Sequence, residues 1–491
     1  MAKINLQKYM HAGLITILGT IVFLLGIWIA PINHYVTGVI LVISAIALYL
    51  YCVFCVADRN WLDIRAVFTG MWLGTVGLAA LRLVEYQEQW QNLTWFLFAV
   101  SFALFQIGAN LGVEFGGRMY EKLKDGVKKL RIGRMRLEMQ EGRLFWICIV
   151  TTLIGFLCFA INVAIRGFIP CFSDSTTAYT DFYTKFHVFA VAATAVSGLC
   201  YYCIMKVKLS NGKKVLLGLC IFYLVFLFPI LVVSRGVFMV AAVSLAVCMF
   251  YIHRKKLLAL ILSVVVIFGV YMFASMLRNY SDEYLSVYFE PAQIVVVDKT
   301  QTEPENNATM PTSGEDNISA DIGMTMIPDE PIESFALSPK QAFLYSYLTV
   351  GHDNFNEAVQ NVQNYAWGAR QLSPFNVILR SQFIKDLGKN AESYFVRPHL
   401  NTYNLIGDFY YDFGSIGVVV CILLWSAVFG VMQGFVEKGK GIFALMVLSN
   451  AMIPVALCFF SSWTTNFTQW MLWGVTLLAA IVACLNVNKK V

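Results

Sequence analysis

Twelve continuous apolar runs, each close to the ~20 residues a helix needs to cross a bilayer, constrain this 491-residue chain more than anything else in it. They fall near 12–31, 35–56, 66–84, 93–112, 144–165, 186–205, 215–233, 237–252, 257–276, 405–436, 442–460 and 469–487. Hydrophobic residues make up 58% of the chain and charged ones only 13%, where soluble domains carry roughly 25% charged residues. Membrane barrel strands would alternate in short segments, and these runs are unbroken. The sequence therefore predicts an all-α polytopic membrane protein with about 12 transmembrane helices. Soluble enzymes and nucleic-acid binders are excluded.

Orientation follows from the bases, because Lys and Arg near span ends accumulate on the cytoplasmic side. With both termini cytoplasmic, most of the 36 Lys and Arg fall inside, including a dense stretch from Arg118 to Arg143 that suits anionic membrane lipid. The short outside loops then hold only Arg82, Arg166, Lys185 and Arg235. The net charge of +6 comes from this inside excess and implies no nucleic-acid partner. No small-residue cleavage site follows the first run, which reads as a retained span. Three regions result: helices 1–9 in residues 1–276, an extracytoplasmic loop domain at 277–404, and helices 10–12 in 405–491. Within the loop, 290–333 is acidic, rich in Asn, Pro, Ser and Thr, and reads as flexible; from Gln341 onward apolar residues return at helical spacing.

Two C-x-x-C spacings, Cys52/Cys55 and Cys200/Cys203, have apolar or aromatic neighbours and read as buried small side chains. Gly112/Gly116 and Gly430/Gly434 fit the small-xxx-small pattern of close helix packing. The chain has no GxxxxGK[ST], no HExxH and no Asp-x-Asp pair, so nothing in it predicts a metal or other cofactor. What remains is a set of arginines at outer span ends and in the loop: Arg82, Arg166, Arg235, Arg278, Arg370, Arg380 and Arg397. A guanidinium fork grips phosphate oxygens in pairs, so several converging would clamp a pyrophosphate. Asp408 and Asp412 stand four apart at the head of the tenth run, where carboxylates either cap, pair or work. His399 and His352 are candidate bases. Tyr394, Tyr403, Tyr411 and Trp367 suit an interface belt or packing on sugar faces.

The stretch NTYNLIGDFYYDFGSIG, after a large late loop and leading into a span, resembles the bacterial oligosaccharide repeat-unit polymerases, the Wzy-type O-antigen and capsule polymerases. The matching residues are Asn401, Thr402, Asp412, Phe413, Gly414 and Gly417, with Arg235 in a short outside loop; they cover about twenty residues, while the overall topology fits along the whole chain. The resemblance implies a GT-C-like glycosyltransferase architecture in the bacterial cytoplasmic (inner) membrane, with an extracytoplasmic active site. It implies metal-independent, inverting transfer of a glycan from undecaprenyl pyrophosphate onto the next lipid-linked unit, with a flippase and a chain-length regulator as partners. In that scheme Arg235, Arg278, Arg166 and Arg397 hold pyrophosphate, and His399 or His352, or the Asp408/Asp412 pair, handles the proton. An O-antigen ligase is the nearest alternative, and a flippase or transporter without covalent chemistry is the alternative of another class.

Overall fold

The computed structural model describes residues 6–127, 135–137, 141–173, 181–253, 261, 337–397, 400–439 and 441–487. The first half supplies α1 (Leu6–Ile29), α2 (His34–Tyr51), α3 (Ile64–Ala80), α4 (Asn92–Val127), α5 (Glu141–Arg166), α6 (Lys185–Ala192), α7 (Ser197–Lys206), α8 (Asn211–Phe222), α9 (Phe228–Leu231) and α10 (Arg235–Ile252). The second half supplies α11 (Pro339–Asn361), α12 (Ala369–Leu379), α13 (Gln382–Leu387), α14 (Gly407–Gly439), α15 (Ile442–Ala456) and α16 (Phe467–Cys484). Short helical turns prolong α2 and join α6 to α7 and α8 to α9. The only strands among the described residues are Met135–Leu137 and Leu485–Val487, paired antiparallel.

Eight helical stretches are long and apolar enough to cross a membrane, and α3, α10 and α15 are shorter apolar helices. Eleven of the twelve apolar runs thus lie on described helices; the run at 257–276 falls outside the described residues. Helix starts follow local chemistry. Asn33 Oδ1 accepts from Val36 N at 3.1 Å to cap α2, and Ser234 Oγ accepts from Val237 N at 3.2 Å to cap α10. Ser338 and Gln341 form a reciprocal box at the head of α11.

The tightest crossing is α4 against α14. The two small-residue motifs meet there: a Cβ on Gly112 would run into the Ala427 carbonyl oxygen, and one on Gly430 into that of Ala109. Backbones this close gain dispersion over a long seam, which is what holds helices together in lipid. At the end of the bundle where α3 starts, Arg65 is buried. Its Nη2 donates to Asp63 Oδ2 at 2.6 Å and its Nη1 to Asn110 Oδ1 at 3.0 Å. The fold makes Arg65 a paired core residue. The opposite end carries α11, α12 and α13.

Candidate functional site

The site is built on a break in α14. Phe413 (φ −142°) and Gly414 (φ +63°) leave helical geometry, and the break releases the carbonyls of Tyr411 and Asp412 from their usual partners further along the helix. Ala366 N and Trp367 N take them, at 2.8 and 3.0 Å. Only glycine suits position 414, both for its positive φ and because a Cβ would stand 2.7 Å from the Tyr365 hydroxyl. The next helix, α12, begins after Gly368, whose φ of +93° and missing side chain leave the helix without a local cap. Asp412 supplies one from α14: its Oδ1 accepts from Arg370 N at 3.0 Å and its Oδ2 from Gln371 N at 2.9 Å.

That capping sets Arg370 over α14. Its Nη1 donates to Asp408 Oδ1 at 3.0 Å and its Nη2 to Ser393 Oγ at 2.6 Å. The guanidinium lies 3.7 Å from the centre of the Tyr411 ring, a cation–π contact. Asp408 Oδ2 accepts from the hydroxyls of Ser462 and Thr465, at 2.5 and 2.8 Å. Below the arginine three groups close a cycle. Tyr394 N donates to Tyr411 Oη at 2.8 Å, and Tyr403 Oη donates to the Tyr394 carbonyl at 2.8 Å. The two hydroxyls share a 2.7 Å bond, which Tyr411 must donate because the Tyr403 proton is engaged. An open cleft of about 320 Å³ lies against this pair, lined by Ala366, Arg370, Ser373, Asp408 and Thr465 among others. A cation and a carboxylate side by side at the edge of a concave site can bind hydroxyl and anionic groups and pass a proton.

The sequence candidates are distributed unevenly around this cleft. Asp408 lines it, and Asp412 stands one helical turn on as a cap for a different helix. Tyr403 and Tyr411 are buried; they pack beneath Arg370 and present no face to a sugar, so their glycan-stacking role is corrected to positioning. Tyr394 is half-buried, with its hydroxyl donating to Glu392 Oε2 at 2.9 Å, and Trp367 is 64% exposed. His352 is fully buried on α11. Thr75 gives its proton to the Met71 carbonyl, at 2.6 Å, so His352 Nε2 is the donor in its 3.0 Å bond to Thr75 Oγ1. Its Nδ1 then accepts from Asn404 Nδ2 at 3.2 Å. Burial lowers this imidazole to about 3. Neutral, enclosed and doubly hydrogen-bonded, it cannot reach a substrate hydroxyl in this conformation, which corrects its reading as the base. Arg166 Nη2 donates to the Tyr183 carbonyl at 2.8 Å, and Arg397 is half-buried in the turn that ends at Leu400; neither lines the cleft. The Arg235 side chain, Arg278 and His399 lie outside the described residues. Among the arginines whose side chains are described, Arg370 is the one the fold brings to the cleft. The nearest signal was its position just after Tyr365-Ala-Trp-Gly368, a turn-forming stretch before a helix.

A second buried carboxylate fixes α11 to the bundle. Asp353 Oδ2 accepts from Gln87 Nε2 and Oδ1 from Trp90 Nε1, both at 2.9 Å. Burial pushes Asp353 up to about 7, against the pull of these donors and of Arg82. Burial, then Glu88, pushes Glu357 up to about 7 as well. Raised acids hold more protons in the folded state than in the unfolded one, so their contribution is complete below about pH 4 and is lost as pH rises through about 7. The melting temperature in detergent should therefore fall by several degrees between about pH 5 and pH 8. Asp353→Asn should cut that pH slope by roughly half, at a cost of about 1–3 kcal/mol for the donor its amide cannot accept. An unchanged slope in the variant would count against Asp353 as a source.

Among the described residues no three His, Cys, Asp or Glu side chains are grouped to hold a metal ion. Comparison with family models, with curated proteins and with solved structures finds no match for this chain.

Proposed function

We propose that this chain is a membrane-embedded polymerase that joins oligosaccharide repeat units carried on a polyprenyl pyrophosphate. The single observation that carries the reading is the Arg370–Asp408 pair in an open cleft, held there by the Asp412-Phe413-Gly414 break through which the sequence resembles the repeat-unit polymerases. In this reading the chain has twelve spans in a GT-C-like arrangement, both termini lie in the bacterial cytoplasm, and the cleft opens at the outer face of the cytoplasmic membrane. Asp408 accepts the proton of the acceptor hydroxyl as that oxygen bonds to the anomeric carbon of the donor glycan. The glycan's bond to pyrophosphate breaks, the electron pair leaves with the phosphate oxygen, and Arg370 offsets the charge that develops there. One displacement inverts the anomeric carbon. Ser462 and Thr465 orient the carboxylate, and the rings of Tyr411 and Tyr403 beneath the guanidinium orient it.

The test is direct. Purified protein in nanodiscs, given a lipid-pyrophosphate-linked repeat unit, should produce a ladder of longer lipid-linked products. Unchanged substrate with folded protein would overturn the reading and leave transport as the better account.

A further inference from the structure

The loop segment that delivers Arg370 also presents an unusual outer surface. On α12, Leu372, Phe375 and Leu379 recur at three- and four-residue spacing and stay exposed, Leu379 at 67%. Phe383 on α13 continues the strip at 68% exposed, while its neighbour Ile384 is buried toward the bundle. A free apolar strip of this kind, rimmed by polar residues, marks a contact surface.

Three observations identify what covers it. The strip is continuous with the apolar flanks of two long helices: the Phe375 ring lies 5.1 Å from that of Trp470 on α16. Phe413 sits at the head of α12, close enough that a Cβ on Gly368 would stand 3.2 Å from its ring. Beyond Phe413 the exposed surface of α14 continues with Ile416, Val420 and Leu424. The level of the strip follows from the length of α14. Its 33 residues span about 50 Å, while the hydrocarbon core is about 30 Å thick. The segment beyond the Phe413–Gly414 break, about 25 residues or ~38 Å, is long enough to cross that core alone, which leaves the break, and with it α12 capped by Asp412, room to lie at or just outside the hydrocarbon boundary. The third observation is charge. Arg380, Lys385 and Lys389 are exposed around the same two helices, against Asp386 alone between Leu379 and Ala391.

We propose that α12 and α13 form a membrane-surface element whose apolar strip enters the acyl–headgroup boundary of the leaflet at this end of the bundle, with anionic phospholipid as its partner. The element places the Arg370 cleft at headgroup depth, with Arg370 near the start of the same helix that rests on the lipid. A headgroup moving laterally in that leaflet meets the cleft without leaving the membrane plane. The inference needs only the membrane assignment and stands apart from the polymerase reading.

A photo-crosslinking amino acid, benzoylphenylalanine, placed at Leu379, Phe383 or Lys385 tests it in nanodiscs of phosphatidylethanolamine and phosphatidylglycerol, with adducts read by mass spectrometry. Both native apolar residues are largely exposed, and at Phe383 the probe preserves the ring, so the fold is retained. Lipid adducts at positions 379 and 383 should exceed those at 385 by about tenfold, with phosphatidylglycerol enriched over its share of the bilayer. Equal yields at the three positions overturn the proposal, as does crosslinking of position 379 or 383 to a second copy of the chain. No glycan substrate is involved, so failure here is distinct from failure of the polymerisation assay.

Discussion

Asp408→Asn is expected to slow glycan chain growth by about 10²–10⁴-fold, the contribution of a positioned proton acceptor, while leaving the protein folded. The amide keeps an oxygen for Arg370 and offers its NH₂ to Ser462 and Thr465, whose hydroxyls can turn to accept. Charge is lost and shape is kept. Asp408→Ala is the harsher change. It strands Arg370, 19% exposed and 3.0 Å from the carboxylate it neutralises, at a cost of about 1–3 kcal/mol. Arg370→Ala should lose chain growth to a similar extent, and combining it with Asp408→Ala should restore part of the stability that either single change removes, because no unpaired charge then remains. Product ladders from purified variants, read beside thermal melts, separate the two effects. Wild-type ladders from the Asn variant would remove Asp408 from the chemistry, and strictly additive melts would show that the pair is not coupled.

What the sequence reveals about this site divides along a physical line. Apolar runs and small-residue spacing are local and repetitive, so the helices and the Gly112/Gly116 and Gly430/Gly434 motifs can be read from letters, although not that the two motifs face each other. Asp408 and Asp412 are conspicuous because carboxylates at the head of an apolar run demand compensation. Their partners are not conspicuous. Asp412 caps α12 across the loop because Gly368 has no side chain to do so, and nothing in local spacing announces a cap borrowed from another helix. The same long-range placement brings Arg370 to the cleft, and neither Arg166 nor Arg397. His352 misleads for the converse reason: a polar residue looks available in sequence, but its α11 neighbours Val350 and Phe355 are both buried, and Thr75 and Asn404 consume its ring nitrogens. Tyr403 and Tyr411 were legible as aromatic and polar-tipped; that their hydroxyls close a cycle with the Tyr394 backbone depends on a turn that no periodicity encodes.

Gly430→Val should be the most damaging single substitution outside the cleft. The atoms in the way are backbone: the Ala109 carbonyl oxygen, and Gly112 Cα at 2.9 Å from the added Cβ. No rotamer change relieves such a clash, so α14 and α4 must separate along the seam that Gly112, Gly116 and Gly434 keep closed. Packing is the main attraction between helices in lipid, and overfilling a tight core costs about 1–3 kcal/mol even where side chains can yield; here the cost should be at the top of that range or above it. The expected result is a melting temperature lower by about 5 °C or more and a poor yield of monodisperse protein in detergent. Gly474→Val on α16 is the matched control, since a Cβ there meets nothing within 4 Å. Equal melts for the two variants would refute the tight seam. The seam also bears on function, because α14 carries Asp408 and Asp412 at its far end. Gly430→Ala, a smaller wedge, should lower chain growth as well: it shifts the segment of α14 after the Phe413–Gly414 break against α4, and the Arg370–Asp408 contact at the head of α14 has little distance to lose.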